Sequence, residues 1–386
     1  MPLRASHVLP ALVSLAALAC QPGPGTTDRE PSASRAAGRP HADEVDPEIE
    51  AALDGVLAGS VVPGAVAAIC RTDGPTAIGA WGVRKAGGQT PMAAQDAVHV
   101  GSDTKAMTAV LAARQVDAGL LRWDSTLEEV LPGLAARVDE GYRSATLTQF
   151  LRHTSGAPAN APNWRAFPER PLRERRIELA AASLGAAPAA APGAGFLYSN
   201  LGYMVAGAMI EAVGDATWEE LIVKDVFEPL GIEGASFGVP GTLGEEDAPW
   251  GHTVRRGEAR PVQIDNDPAL GPAGTVHLPV SDWARFVLQF TDGAAAETED
   301  PFLSAASREQ LLEVGLEDYA FGWMVTERGW AQGVALTHSG SNTTWFATAW
   351  VAPRTNRAFL VAANAAGAGV PGLVDRAIGA LIALDR

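Results

Sequence analysis

The stretch Gly101-Ser102-Asp103-Thr104-Lys105, continued by Met107, Val110, Leu111, Val116 and Leu120, is where this chain's fold can be read. The apolar positions recur at helical spacing and predict one long helix from Ser102 through Leu120, ended at Asp117-Ala118-Gly119. Residues three apart share a helix face, so the Lys105 amine can reach the Ser102 hydroxyl. Gly101 allows a sharp entry from strand to helix. A serine hydroxyl is a weak nucleophile at neutral pH. An amine withdrawn from water, or held near another cation, can be neutral and take up its proton. The same residues also read as an N-cap serine followed by a solvated lysine, and the pattern alone does not choose between the two.

Two further segments shift the balance. Tyr198-Ser199-Asn200 follows the turn-forming run Pro192-Gly193-Ala194-Gly195, and His338-Ser339-Gly340 closes an apolar strand and is followed by Ser341 and Asn342. In this order and at these separations, Ser-x-x-Lys, Tyr-x-Asn and His-x-Gly resemble the penicillin-recognising serine hydrolases. That superfamily includes class C β-lactamases, D-alanyl-D-alanine carboxypeptidases and β-lactamase-like esterases. The His-x-Gly form resembles that of some carboxypeptidases and many β-lactamase-related hydrolases, where class C lactamases carry lysine. The resemblance spans about residues 47–384. Phe150-Leu151-Arg152-His153-Thr154-Ser155-Gly156 and Pro272-Ala273-Gly274-Thr275 with Asp282-Trp283-Ala284-Arg285-Phe286 look like further family stretches. Thr275 replaces a usual second glycine, and Thr344-Trp345-Phe346 replaces a common Gly-Phe.

The resemblance implies roles. Ser102 attacks the carbonyl, Lys105 and Tyr198 relay its proton, and Tyr198 protonates the leaving group. Asn200 would bond a substrate amide, and the Ser102 and Ser341 N–H groups would form an oxyanion hole beside Gly340. His338 would line the cleft and orient a substrate carboxylate or Tyr198, more weakly than a lysine charge would. Substrates implied are D-alanyl peptides, β-lactams or short acyl esters, with strong β-lactamase activity ranked lower because lysine is replaced. The other reading is an envelope protein that binds peptidoglycan-like peptides or a partner through the same cleft. Its expected mark would be loss of Ser102, Lys105 or Tyr198, and all three are present.

Gly234-Ala235-Ser236-Phe237-Gly238 matches the nucleophile-elbow pattern, which needs a strand before it and a helix after it. Here the flanks, Leu230-Gly231-Ile232 and Val239-Pro240-Gly241, are turn-rich, so the match reads as coincidence. His153 reads as a loop-structural residue. The seven histidines show no paired-ligand spacing, and no phosphate-binding glycine loop occurs, so neither metal nor cofactor is expected.

The 386 residues carry a formal charge of -16, from 45 acidic and 29 basic residues. That balance argues against a nucleic-acid partner. Hydrophobic residues are 47%, enough for a sizeable core. Only Lys85, Lys105 and Lys224 are lysines, which makes the placement of each one informative. Val8 to Ala19 is apolar but too short to span a bilayer. With Cys20 after Leu18-Ala19, residues 1–20 resemble a lipoprotein signal with Cys20 as lipidation site. Residues 21–45, rich in Pro, Gly, Ser and Thr, read as a flexible tether. Localisation in the cell envelope follows, with membrane contact through the lipid anchor alone, and the oligomeric state stays open. Cys70 reads as a small buried hydrophobe.

Residues 46–386 read as the catalytic domain. Strand-like runs at Gly64–Cys70 and Ala77–Val83, and again at Gly333–Thr337, Trp345–Val351 and Ala358–Ala363, enclose a helix- and loop-rich middle of about 125–290. The expected fold is α+β: an antiparallel sheet flanked by helices, closed by both ends of the domain, with an inserted helical lobe. A cleft between the two is the expected site.

Overall fold

A computed structural model describes residues 45–72, 76–295 and 301–385. The signal-like start with Cys20, and all but Val45 of the tether, lie outside the described residues.

Alternation along the strands explains the architecture. Strand β1 (Gly64–Arg71) is apolar at every position from Ala65 to Cys70 because both of its faces are covered. Val66, Ala68 and Cys70 face the main core, while Ala65, Ala67 and Ile69 face a second one. The second core is closed by two helices. Helix α1 (Pro47–Leu57) presents Ile49, Leu53 and Leu57, each at most 1% exposed. Asp46 caps it by accepting from the Glu48 and Ile49 N–H groups, and Pro47 occupies its first turn.

The sheet is antiparallel and continues through β2 (Ala77–Gly82) and, far along the chain, β3 (Tyr319–Ala320), β4 (Trp323–Arg328), β5 (Gly333–Ser341), β6 (Phe346–Ala352) and β7 (Arg357–Ala363). Its spatial order is β2-β1-β7-β6-β5-β4-β3, so the first strands of the domain pair with its last. On the far face lies α2 (Thr104–Asp117), with 11 of its 14 residues buried, Lys105 and Gln115 among them. Next comes α3 (Asn200–Gly214), and the final helix α4 (Val370–Leu384) packs beside α1 on the second core.

The middle of the chain is helix-rich, as expected, but it also contains strands that the sequence pattern did not show. Gly251–Arg255 and Glu258–Val262 form a hairpin, and Val276–Pro279 pairs with both Ala97–His99 and Ser236–Phe237. The hairpin turn is Arg256-Gly257, both at positive φ (53° and 82°), the geometry of a two-residue turn. Arg256 is not a residue type that announces such a turn, and the strands are only five residues long. The expected single helix from Ser102 also divides. Gly101–Asp103 is a 3-10 turn, and the α-helix begins at Thr104.

Candidate active site

Strand β5 and the 3-10 turn meet at a contact only glycines allow. A Cβ on Gly340 would sit 1.9 Å from the Val100 carbonyl oxygen and 2.6 Å from the Ser102 nitrogen. One on Gly101, whose φ is 53°, would sit 2.3 Å from the Ser341 nitrogen. The backbones carrying the Ser102 and Ser341 N–H groups are thereby pressed together. Strand β4 pairs with Gly333–Thr337 and stops. His338–Ser341 therefore has β6 on one side and the Ser102 turn on the other.

Lys105 is fully buried on the first turn of α2. Its Nζ lies 3.0 Å from Ser102 Oγ, 2.8 Å from Asn200 Oδ1 and 2.7 Å from the Ala273 carbonyl oxygen. Burial disfavours the ammonium and lowers the pKa to about 7, while the adjacent Asp103 carboxyl opposes the shift. A neutral amine has two N–H bonds and one lone pair. Asn200 Oδ1 and the Ala273 carbonyl accept the two N–H bonds, which leaves the lone pair for the Ser102 O–H.

Tyr198 stands beside this pair, its ring centroid 4.9 Å from Lys105 Nζ. Burial raises its pKa, and a hydrogen bond with Ser102 offsets part of that rise, so the phenol is held protonated beside the serine. Asn200 opens α3, and Ser199 caps that helix by accepting from the Gly202 N–H at 2.8 Å. The Asn200 amide is held at both ends, since its Nδ2 donates to Asn160 Oδ1 at 2.9 Å. Its Oδ1 serves Lys105, a contact in addition to the substrate amide that the resemblance implied.

His338 stacks on Tyr198 at 6.3 Å between centroids, and burial followed by the nearby Lys105 lowers its pKa to about 3. It is therefore neutral at pH 7. Its Nδ1 is 3.9 Å from Asp103 Oδ1, and neither atom has a hydrogen-bond partner. Burial pushes the Asp103 carboxyl well above the usual range. The site thus contains a buried acid inside the Ser-x-x-Lys run to which the sequence reading gave no role.

His153 lies beneath the tyrosine loop. Its Nδ1 accepts from the Ser199 N–H at 3.0 Å, so Nε2 carries the proton and faces Tyr319 Oη at 3.2 Å. Its ring lies 4.2 Å from that of Tyr198. It orients the tyrosine segment from below and does not face Ser102. Ser236 lies apart on the exposed two-residue strand Ser236–Phe237, with bends and turns rather than a helix after it. Cys70 is buried in β1, where burial raises its thiol pKa.

A cavity of about 320 Å³ opens beside Tyr198 and His338, walled by Phe196, Tyr319 and Met324. None of its lining side chains is a lysine, arginine, aspartate or glutamate. A larger hollow of about 430 Å³ lies over Arg173, Glu174 and Ile177 and contains none of the sequence motifs.

This geometry can be set beside known proteins. The model of the family described as Beta-lactamase matches residues 49–384. The chain belongs to the beta-lactamase family. It is a serine hydrolase of that family, with the mixed α/β fold of its members. The chain is 29% identical over 278 residues to penicillin-binding protein 4 of Amycolatopsis lactamdurans, covering 71% of each chain. It is 30% identical over 220 residues to lovastatin esterase of Penicillium rubens, covering 50% of this chain and 52% of the esterase. The octameric penicillin-binding protein homologue from Pyrococcus abyssi superposes with a TM-score of 0.70 at 22% identity, covering 88% of this chain and 77% of that one. In this beta-lactamase-family chain the Ser102, Lys105 and Tyr198 side chains lie together.

Proposed function

We propose that the chain hydrolyses esters or amides through an acyl-enzyme on Ser102, with a preference for substrates that bring an uncharged, apolar group to the cleft. The observation that carries this reading is the environment of Lys105. Its Nζ lies 3.0 Å from Ser102 Oγ while Asn200 Oδ1 and the Ala273 carbonyl accept two N–H bonds, so that in the neutral amine the lone pair is left for the serine proton. The serine proton passes to Nζ as Oγ bonds the acyl carbon. The leaving oxygen or nitrogen takes a proton from Tyr198, which is resupplied by Lys105. Water then attacks the acyl-enzyme, its proton passes through the same pair to Ser102 Oγ as the acyl–oxygen bond breaks, and the acid is released. The Ser102 and Ser341 N–H groups would hold the oxyanion, each worth roughly 3 kcal/mol of barrier.

The substrate preference rests on His338 and the cavity. A neutral imidazole offers no fixed charge to a substrate carboxylate, and the cavity beside it is lined by Phe196, Tyr198, Tyr319 and Met324 with the hydroxyls of Thr337 and Ser339, all uncharged. Short acyl esters and uncharged amides therefore rank ahead of D-alanyl peptides bearing a free carboxylate, and β-lactams rank last. The test is a panel of p-nitrophenyl acyl esters, a D-alanyl-D-alanine peptide and nitrocefin. Esters should give the largest kcat/KM, and Ser102→Ala should abolish turnover. A dominant rate on the free-carboxylate peptide would overturn the preference, and unchanged ester hydrolysis in Ser102→Ala would overturn the reaction itself.

A further inference from the structure

Behind the nucleophile turn, three side chains from distant parts of the chain meet in the interior. His99, fully buried, accepts the Gly101 N–H at its Nδ1, 3.0 Å away, which puts its ring proton on Nε2. That Nε2 lies 2.8 Å from Asp265 Oδ1, a close polar contact whose angle falls outside hydrogen-bond geometry. The same Oδ1 accepts from Asn342 Nδ2 at 2.8 Å. Asn342 is 3% exposed, and its own Oδ1 accepts from the Thr344 N–H, the Trp345 N–H and the Thr344 hydroxyl at 2.9–3.1 Å. The chain Gly101–His99–Asp265–Asn342 therefore starts one residue before Ser102 and ends one residue after Ser341. It links the two backbone segments whose N–H groups face the reacting carbonyl in the mechanism above.

We propose that His99, Asp265 and Asn342 form a brace that fixes the spacing of the Ser102 and Ser341 N–H groups, and so act as positioning residues for transition-state binding. The alternative role, simple filling of the interior, does not need a polar chain at this depth. Three apolar side chains would fill the space without the desolvation cost of a buried carboxylate. Asn266, next in sequence to Asp265, donates to the Gly274 carbonyl at 2.7 Å. A Cβ on Gly274 would itself be 3.4 Å from Gly101, so the segment bearing Asp265 is fastened against the turn a second time. An oxyanion hole acts only if its donors are placed before charge develops, because a donor that must move spends its interaction on reorganisation.

The inference rests on Ser102 being the acylated residue, and the experiment separates the two. Asn342→Asp keeps the acceptor for Thr344 and Trp345 but sets a second carboxylate against Asp265. Asp265→Asn combined with it restores one amide and one carboxylate. Three quantities are measured for each: kcat, KM for a p-nitrophenyl ester, and the inhibition constant of an alkylboronic acid that bonds a serine as a tetrahedral adduct. Asn342→Asp should lower kcat and boronate affinity in parallel, by roughly 10- to 100-fold, with KM within about 3-fold. The paired exchange should recover most of both. Asp265→Ala supplies the same comparison if Asn342→Asp does not fold. The brace is overturned if kcat and boronate affinity stay within about 3-fold of wild type, or if only KM rises. Failure of the wild-type protein to form any boronate adduct would instead overturn the acyl-enzyme reading, and the brace with it.

Discussion

Asn200 Oδ1 sits 2.8 Å from Lys105 Nζ, so the last residue of the Tyr-x-Asn segment holds the amine that serves the nucleophile. An amide there accepts an N–H without adding charge. A carboxylate would favour the ammonium and raise the Lys105 pKa. Asn200→Asp should therefore move the acidic limb of the kcat/KM profile upward from about 7, by 1 to 2 pH units as an order of magnitude. Recording that profile with a neutral ester checks it, since such a substrate does not itself titrate.

In the unaltered protein the same profile should fall about tenfold per pH unit below about 7 and level off above it, because only neutral Lys105 accepts the serine proton. Stability should move the same way. The folded pKa lies below the ordinary 10.5, so the unfolded chain binds more protons between about 7 and 10.5. Stability contributed by this group is full above that window and is lost as pH falls through it. Lys105→Met should abolish turnover and flatten the pH dependence of urea midpoints over the same interval. Asp103 acts in the opposite sense, since its raised pKa costs stability as pH rises above the usual carboxylate range.

Gly340→Ala should abolish hydrolysis, with a loss of at least about 100-fold, because the new methyl must displace either the Val100 carbonyl or the Ser102 N–H. Steady-state assays on protein shown by circular dichroism to be folded give the answer. Gly379→Ala in α4, where nothing lies within 4 Å, is the matched control and should leave the rate unchanged.

Away from the cleft, Arg176 is fully buried between Glu211 and Glu219, with Nη2 2.6 Å from Glu219 Oε1. It also donates to the Ala269 and Pro268 carbonyls, at 3.2 and 3.1 Å. Arg176→Met leaves Glu211 buried without its cation and should cost about 3 to 5 kcal/mol in denaturant titration. Arg176→Met together with Glu211→Gln should recover part of that loss.

Which of these features could be read from the sequence follows from their spacing. Ser102 and Lys105 are three residues apart, a spacing that alone also fits a capped helix, and it was the three short segments in order, resembling a known family, that picked out Tyr198 and His338 beside them. Five strands of the sheet were legible as apolar runs, whereas Tyr319–Ala320 is too short and Trp323–Arg328 too polar to show in the pattern. Asp103 was in view but carried no signal, since an acid in a helical turn is ordinarily solvated and only the packing of Gly340 over it reveals burial. His99, Asp265 and Asn342 are separated by 166 and 77 residues, and no periodicity connects them. The Gly251–Val262 hairpin was missed because its turn is built on an arginine at positive φ. Asn200 was legible as a site residue, while its engagement with Lys105 depended on where α2 and α3 pack.

The central claim is that Ser102 is the residue acylated. Intact-protein mass spectrometry after treatment with a fluorophosphonate, followed by peptide mapping, tests it most directly. One adduct per chain is expected, located on Ser102, lost in Ser102→Ala and slowed below about pH 7 as Lys105 takes up its proton. An adduct on Ser236 or any other serine, or no adduct on folded protein, would contradict it.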